Sequence, residues 1–109
     1  MRRSKVPQAV FNGVVIAESD ETVVVEGNHY FPPASIKPEF FNETPSYNTI
    51  CPWKGQASYY DVEVEGARAE AVAWTYRDPS QAASNIKDHV AFYPRVQIEG
   101  APRRGLFSR

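Results

Sequence analysis

Cysteine is almost missing from this chain: Cys51 is the only one in 109 residues. An internal disulfide is excluded, and a reducing compartment suits such a protein. Histidine is scarce too. His29 and His89 stand alone, without CxxC or HxxxH spacing, so the four ligands that a structural zinc site wants are not there. The reading therefore expects no metal and no cofactor. No apolar run approaches the roughly 20 residues needed to span a bilayer. Met1-Arg2-Arg3-Ser4-Lys5 has the basic character of a signal-peptide start, but Val6-Pro7-Gln8 stands where the apolar core should follow. The expectation is a cytoplasmic protein with no membrane partner. A Gly-rich phosphate loop and a G-x-S-x-G elbow are also lacking.

Positive charge is missing from the middle of the chain. Arg2, Arg3 and Lys5 lie at the start and Arg103, Arg104 and Arg109 at the end; all 13 acidic residues fall between. Only Lys37, Lys54, Arg68, Arg77, Lys87 and Arg95 oppose them there, which leaves that stretch acidic. A duplex-binding face needs lysine and arginine clustered on the folded body, so no nucleic-acid partner is expected. The reading predicts a disordered basic arm at 1–5, a single domain at 6–100 and a disordered basic tail at 101–109.

What the chain does have is β-forming and aromatic residues in short, punctuated runs. Val10-Phe11-Asn12-Gly13-Val14-Val15-Ile16 sets Asn-Gly between apolar β-formers, a strong hairpin signal. Glu18 to Glu21 reads as a turn, Thr22 to Glu26 as a strand, and Gly27-Asn28-His29 as a turn into Tyr30-Phe31, together a meander. Pro32-Pro33 stops the sheet, because proline cannot donate to a ladder. Residues 34–48, with Pro38 and Pro45, show no period and read as the longest irregular connection. One helical turn is expected at Ala34 to Lys37, and Glu39-Phe40-Phe41 is expected to tuck aromatic rings under the sheet.

From Lys54 to Glu65 the alternation is regular. Ser58, Tyr60, Val62 and Val64 share one face and Ala57, Tyr59, Asp61, Glu63 and Glu65 the other; Asp61, Glu63 and Glu65, with Glu70 after the turn, read as a solvated acidic ribbon. The next strand puts Val72, Trp74 and Tyr76 on one side and Ala71, Ala73 and Thr75 on the other. Asp78 or Ser80 can cap a short helix at Ser80 to Ile86. Two strands follow, Val90 to Tyr93 and Arg95 to Glu99. Seven or eight strands and one short helix predict an all-β fold, two strongly bent antiparallel sheets in a sandwich or tent-like arrangement.

The densest group of chemically able side chains is Thr49-Ile50-Cys51-Pro52-Trp53-Lys54-Gly55-Gln56-Ala57-Ser58-Tyr59-Tyr60-Asp61-Val62-Glu63-Val64. A reactive cysteine needs a cation or a helix N-terminus to lower its pKa. Lys54, three residues on from Cys51, could supply that field, and His89 could approach in space; a structural thiol is the alternative. Trp53, Tyr59, Tyr60, Trp74, Tyr76 and Tyr93 combine apolar area with a polar handle, which suits both a pocket and an ordinary core.

Three motifs in order carry a resemblance: Cys-Pro-Trp-Lys-Gly-x-Ala-Ser-Tyr-Tyr-Asp-Val-x-Val, then Ala-Trp-x-Tyr-x-x-Pro, then Ile-Lys-x-x-Val-Ala-Phe-Tyr. With the early Asn-Gly-Val-Val-Ile-Ala-Glu-Ser and the Tyr-Phe-Pro at Tyr30, the chain resembles the DUF427 family from about Val10 to Gly100. The resemblance implies a compact β-rich fold with bent, tent-like sheets. The family also carries a nucleotidyltransferase label; Asp61 is the sole acidic residue inside the signature and Lys54-Gly55 the only hint of a phosphate contact.

The function expected is a binding module for a small anionic or aromatic ligand around the Cys-Pro-Trp-Lys-Gly segment. Its ligand-binding residues are Trp53, Lys54, Gly55, Tyr60, Asp61, Trp74 and Tyr76. An enzyme using Cys51 as nucleophile or Lys54 as phosphate clamp is the alternative. A structural homodimer paired through an exposed strand edge is the third reading. Circular dichroism of the chain is expected to be strand-dominated; helix above roughly a third would exclude the all-β reading.

Overall fold

The computed structural model describes residues 6–100, so the two basic ends expected at 1–5 and 101–109 lie outside the described residues. Within them the chain forms nine strands: β1 (Gln8–Phe11), β2 (Val14–Glu18), β3 (Val23–Val25), β4 (Asn28–Tyr30), β5 (Phe41–Cys51), β6 (Gly55–Val64), β7 (Ala67–Tyr76), β8 (Val90–Phe92) and β9 (Gln97–Glu99). They make three antiparallel sheets, ordered β2-β1-β9, β3-β4 and β5-β6-β7-β8. The expected short helix is a 3-10 segment at Gln81–Ile86, kinked at Ala83. Among the described residues no helix is long and apolar enough to cross a membrane.

The first hairpin forms where Asn-Gly predicted it. Asn12 and Gly13 both take positive φ (51° and 77°), which matches the twist of the flanking strands in a tight turn. The Asn12 side chain then donates to the Val64 carbonyl at 3.1 Å, tying this hairpin to the end of β6. The expected meander is divided between two sheets. Its second half turns at Glu26-Gly27, again with positive φ (55° and 81°), and pairs only β3 with β4.

The stretch read as irregular holds most of the 11-residue strand β5. Pro45 and a register shift between Glu43 and Asn48, where Ser46 has φ 56°, interrupt its alternation. A two-residue period cannot survive such a bulge, so the strand left no regular signal. Both outer turns of the preceding segment are 3-10, at Pro33–Ser35 and Pro38–Phe40, and Phe41 packs edge-on to Tyr60 (ring centroids 5.9 Å apart).

Strands β6, β7 and β8 of the four-stranded sheet are covered on both faces, while β5 is largely exposed. One face packs Val62, Val64, Ala69, Ala73, Val90 and Phe92 against Ala9, Phe11, Ile16 and Ala17 of the first sheet. The other packs Ala57, Tyr59, Trp74, Tyr76 and Ala91 against Tyr30, Val23 and Val25 of the β3-β4 hairpin and Ala83 and Ile86 of the 3-10 segment. This is why nearly every residue from Val72 to Tyr76 is buried: alternation along a two-sided strand sorts residues between two cores, not between core and water.

A bulge in β7 breaks that sorting once. Tyr60 pairs with Ala73 and Val62 with Ala69, so three residues of β7 oppose the single Asp61 of β6. Ala71 takes φ 52° there, packs toward the Trp74 side, and Val72 crosses to the core that holds Ala73. The expectation that Val72 shares a face with Trp74 and Tyr76 is corrected by this bulge. Asp61 is not part of a solvated ribbon either; it is 3% exposed. Its Oδ1 accepts from the Thr44 hydroxyl and from the Ala71 N–H (2.9 Å), and its Oδ2 accepts from Arg68 (2.8 Å). Burial alone would raise the Asp61 pKa, but these donors together hold it below the usual carboxylate range.

Asp61→Ala removes the acceptor from a half-buried N–H and a half-buried hydroxyl, and is expected to cost about 3 kcal/mol in urea unfolding. Because the folded-state pKa lies below the unfolded one, the Asp61 contribution is complete above about pH 4 and fades as pH falls further. Melting temperature followed from pH 6 to pH 2 is therefore expected to fall more steeply in the wild type than in Asp61→Ala. Parallel curves would show that the carboxylate does not hold the bulge.

Candidate functional site

Cys51 ends β5 and Gly55 begins β6, so Pro52, Trp53 and Lys54 form the turn between paired strands. The loop after β7 clamps that turn. Ser80 donates its N–H to the Lys54 carbonyl (2.9 Å) and its hydroxyl to the Trp53 carbonyl (2.5 Å). Ser80 stands at the helix N-cap without a side-chain cap bond, because its hydroxyl holds the turn instead. Gly55 lies at φ 114°, with the Asp78 carbonyl oxygen 3.4 Å from where a Cβ would sit. A side chain there would be strained by its own backbone and pressed against the clamp.

The clamped turn drives Lys54 inward. Lys54 is 4% exposed and is the one buried cation among the described residues. Its Nζ donates to Glu26 Oε1 at 2.5 Å and lies 4.8 Å from the Trp53 ring centroid and 5.6 Å from that of Tyr76. Burial works against the ammonium, but the Glu26 hydrogen bond and the surrounding groups raise the Lys54 pKa overall; the lysine is charged at neutral pH. Glu26 sits on the β3-β4 turn with its side chain 54% exposed. Its second oxygen accepts from Trp53 Nε1 at 3.3 Å, and the Lys54 bond, with that from Trp53, lowers its pKa.

Behind this pair lies an aromatic wall. Trp74 Nε1 donates to the Tyr30 hydroxyl at 3.1 Å, with the two rings edge-on and their centroids 6.3 Å apart. Tyr76 packs beside Tyr30 at 6.5 Å. Burial raises the Tyr30 pKa and pushes that of Tyr76 up to about 12, so both phenols stay protonated at neutral pH. Cys51 is half-buried and packs against the same cluster. Burial disfavours its thiolate, but the N–H groups of Lys54 and Trp53 and the Lys54 charge outweigh that and lower the pKa.

Of the residues expected to form the site, Cys51, Trp53, Lys54, Gly55, Trp74 and Tyr76 come together here. Tyr60 and Asp61 do not. Tyr60 faces the opposite core, where its ring meets Phe41 and its hydroxyl accepts from Arg77 at 3.3 Å. Asp61 commits both oxygens to Thr44, Ala71 and Arg68 and holds the bulge. His89 donates Nδ1–H to the Lys87 carbonyl at 2.9 Å. Glu26 and Tyr30 are the members that the sequence reading missed. Glu26 had no local signal, since its role depends on a contact with Lys54 across 28 positions. Tyr30 lies in the Tyr-Phe-Pro segment that the motifs already marked.

The larger clefts lie beside this corner and elsewhere. One of about 570 Å³ is walled by Trp74, Phe92, Tyr93 and Pro94 and bordered by Asn28, Gln97 and Glu99. A second, about 250 Å³, lies between Pro33, Ile36, Pro38, Phe41, Tyr60 and Val90.

Comparison with known proteins follows the same residues. No curated protein matches the chain. The family model described as a domain of unknown function, DUF427, matches residues 2–101. That match spans both cores, the clamped turn and the aromatic wall, and the chain belongs to the DUF427 family.

Proposed function

We propose that this protein binds a small aromatic carboxylate at the corner of Trp53, Lys54 and Glu26. The observation that carries the reading is a charged lysine held almost out of water by one carboxylate, and that carboxylate is half exposed. A buried ammonium needs an anionic partner, and bonds to charged groups contribute more than neutral ones. Glu26 supplies such a partner from a hairpin turn, in a place that the carboxylate of a ligand can take. The Trp53 ring, 43% exposed, offers a surface for an aromatic body next to that carboxylate. The neutral alternative, a lysine kept only for stability, gives the exposed Trp53 ring no role beyond its contacts with Lys54 and Glu26. Replacing a buried ion pair by apolar groups is often neutral or stabilising.

Isothermal titration with benzoate tests this. Glu26→Gln removes the internal competitor and is expected to tighten benzoate binding about tenfold, the size of one charge-assisted hydrogen bond. Lys54→Met is expected to abolish binding without unfolding the protein, since a linear apolar chain fills the same space. Trp53→Ala is expected to weaken binding. Equal affinity in the wild type and all three variants would move the ligand away from this corner.

A further inference from the structure

Tyr76 is 6% exposed, and its hydroxyl has no hydrogen-bond partner among the described residues. A buried hydroxyl without a partner is an exception that calls for a reason. Its ring flanks the Lys54 ammonium, whose charge acts on the phenol, as does that of Cys51 when it is a thiolate. The Tyr30 oxygen, by contrast, is partnered as an acceptor of the Trp74 N–H. Cys51 packs against the cluster that contains Tyr76 and retains access to solvent. A donor without an acceptor thus belongs to the cluster against which a half-open thiol packs, with a positive charge 5.6 Å from its ring centroid.

We propose that Cys51 is a nucleophile toward activated esters of aromatic acids, and that the Tyr76 hydroxyl donates a hydrogen bond to the carbonyl oxygen as the sulfur attacks. This rests on the ligand-binding reading above, which places the aromatic body near Trp53. The Cys51 thiolate forms a C–S bond to the acyl carbon, and the carbonyl π pair moves onto oxygen, facing Tyr76. Collapse of that adduct breaks the acyl C–O bond, and the leaving alkoxide or phenolate departs with the electron pair and takes its proton from water. Water then cleaves the thioester, which releases the aromatic acid and returns the thiol. The released acid is the species that Lys54 would hold. A phenol suits this role because it stays protonated at neutral pH, and a donor placed where charge develops is effective in a site shielded from water.

The test uses the full chain and p-nitrophenyl benzoate at pH 7. The wild type is expected to release p-nitrophenolate in a burst equal to the protein concentration. Mass spectrometry is expected to find one benzoyl group on the peptide containing Cys51, and none in Cys51→Ser. Tyr76→Phe is expected to slow the burst by about tenfold to a hundredfold. The same variant is expected to leave alkylation of Cys51 by iodoacetamide within about twofold, because displacement at iodoacetamide builds no negative charge on a carbonyl oxygen under attack. Tyr76→Phe removes a hydroxyl that has no partner, so its melting temperature is expected to equal or exceed that of the wild type. A measurement without that variant compares the wild type with free cysteine: the ratio of acylation to alkylation is expected to be at least about tenfold higher for Cys51. Equal slowing of both reactions in Tyr76→Phe, an unchanged burst, a ratio like that of free cysteine, or benzoylation that persists in Cys51→Ser would each overturn the proposal. Benzoate titration of Cys51→Ser separates the two readings. Retained binding with no acylation in the wild type sinks only the nucleophile, and loss of binding in every form sinks the site itself.

Discussion

The pairing of β6 with β7 is the constraint on which the other parts depend, and one carboxylate holds its irregular point. These strands are covered on both faces, so a slip of one residue would exchange the two cores wholesale. Asp61 opposes that slip. It accepts the N–H of Ala71 at the bulge and anchors Thr44 of β5 and Arg68 of β7 at the same oxygens. Beyond the bulge Ala73 turns toward the first core and Trp74 toward the second. Trp74 and Tyr76, which stand behind Lys54, are placed by that setting.

The second core is small and rich in hydroxyls and rings, and the site is its outer margin. Tyr30, Trp74 and Tyr76 fill the space between the four-stranded sheet and the β3-β4 hairpin. The hairpin brings Glu26 to one end of that space, and the Cys51 to Gly55 turn closes it. A single residue, Ser80, couples the turn to the loop after β7 through its N–H and its hydroxyl. The arrangement joins residues 26, 30, 51, 54, 76 and 80, none of which could make these contacts within one element.

The electrostatics of the site follow from partial burial. Glu26, with half of its side chain exposed, is the partner required by the buried Lys54. Its field, with the two turn amides, works on Cys51 against desolvation. Tyr76 keeps its proton because burial disfavours a phenolate. A thiol that ionises more readily and a phenol that ionises less readily form a pair of opposite bias within one small space.

The chain alone determined what local chemistry can decide. Asn12-Gly13 set a tight turn because both residues accept positive φ, and Cys51 to Gly55 stood out because its residue types are uncommon together. The alternation from Ala57 to Val64 separated Tyr59 from Tyr60 correctly, as strand geometry requires. The tertiary structure decided the rest. Strand β5 was hidden because Pro45 and a bulge interrupt its period. The face of Val72 was misread because a bulge exchanges it with Ala71. Glu26 could not be found as the partner of Lys54, because a contact over 28 positions leaves no trace in either residue's neighbours. Asp61 looked solvated beside Glu63 and Glu65, and only the folded sheet shows three donors converging on it. Period and turn chemistry are properties of a few adjacent residues, whereas burial and charge pairing belong to the packed chain.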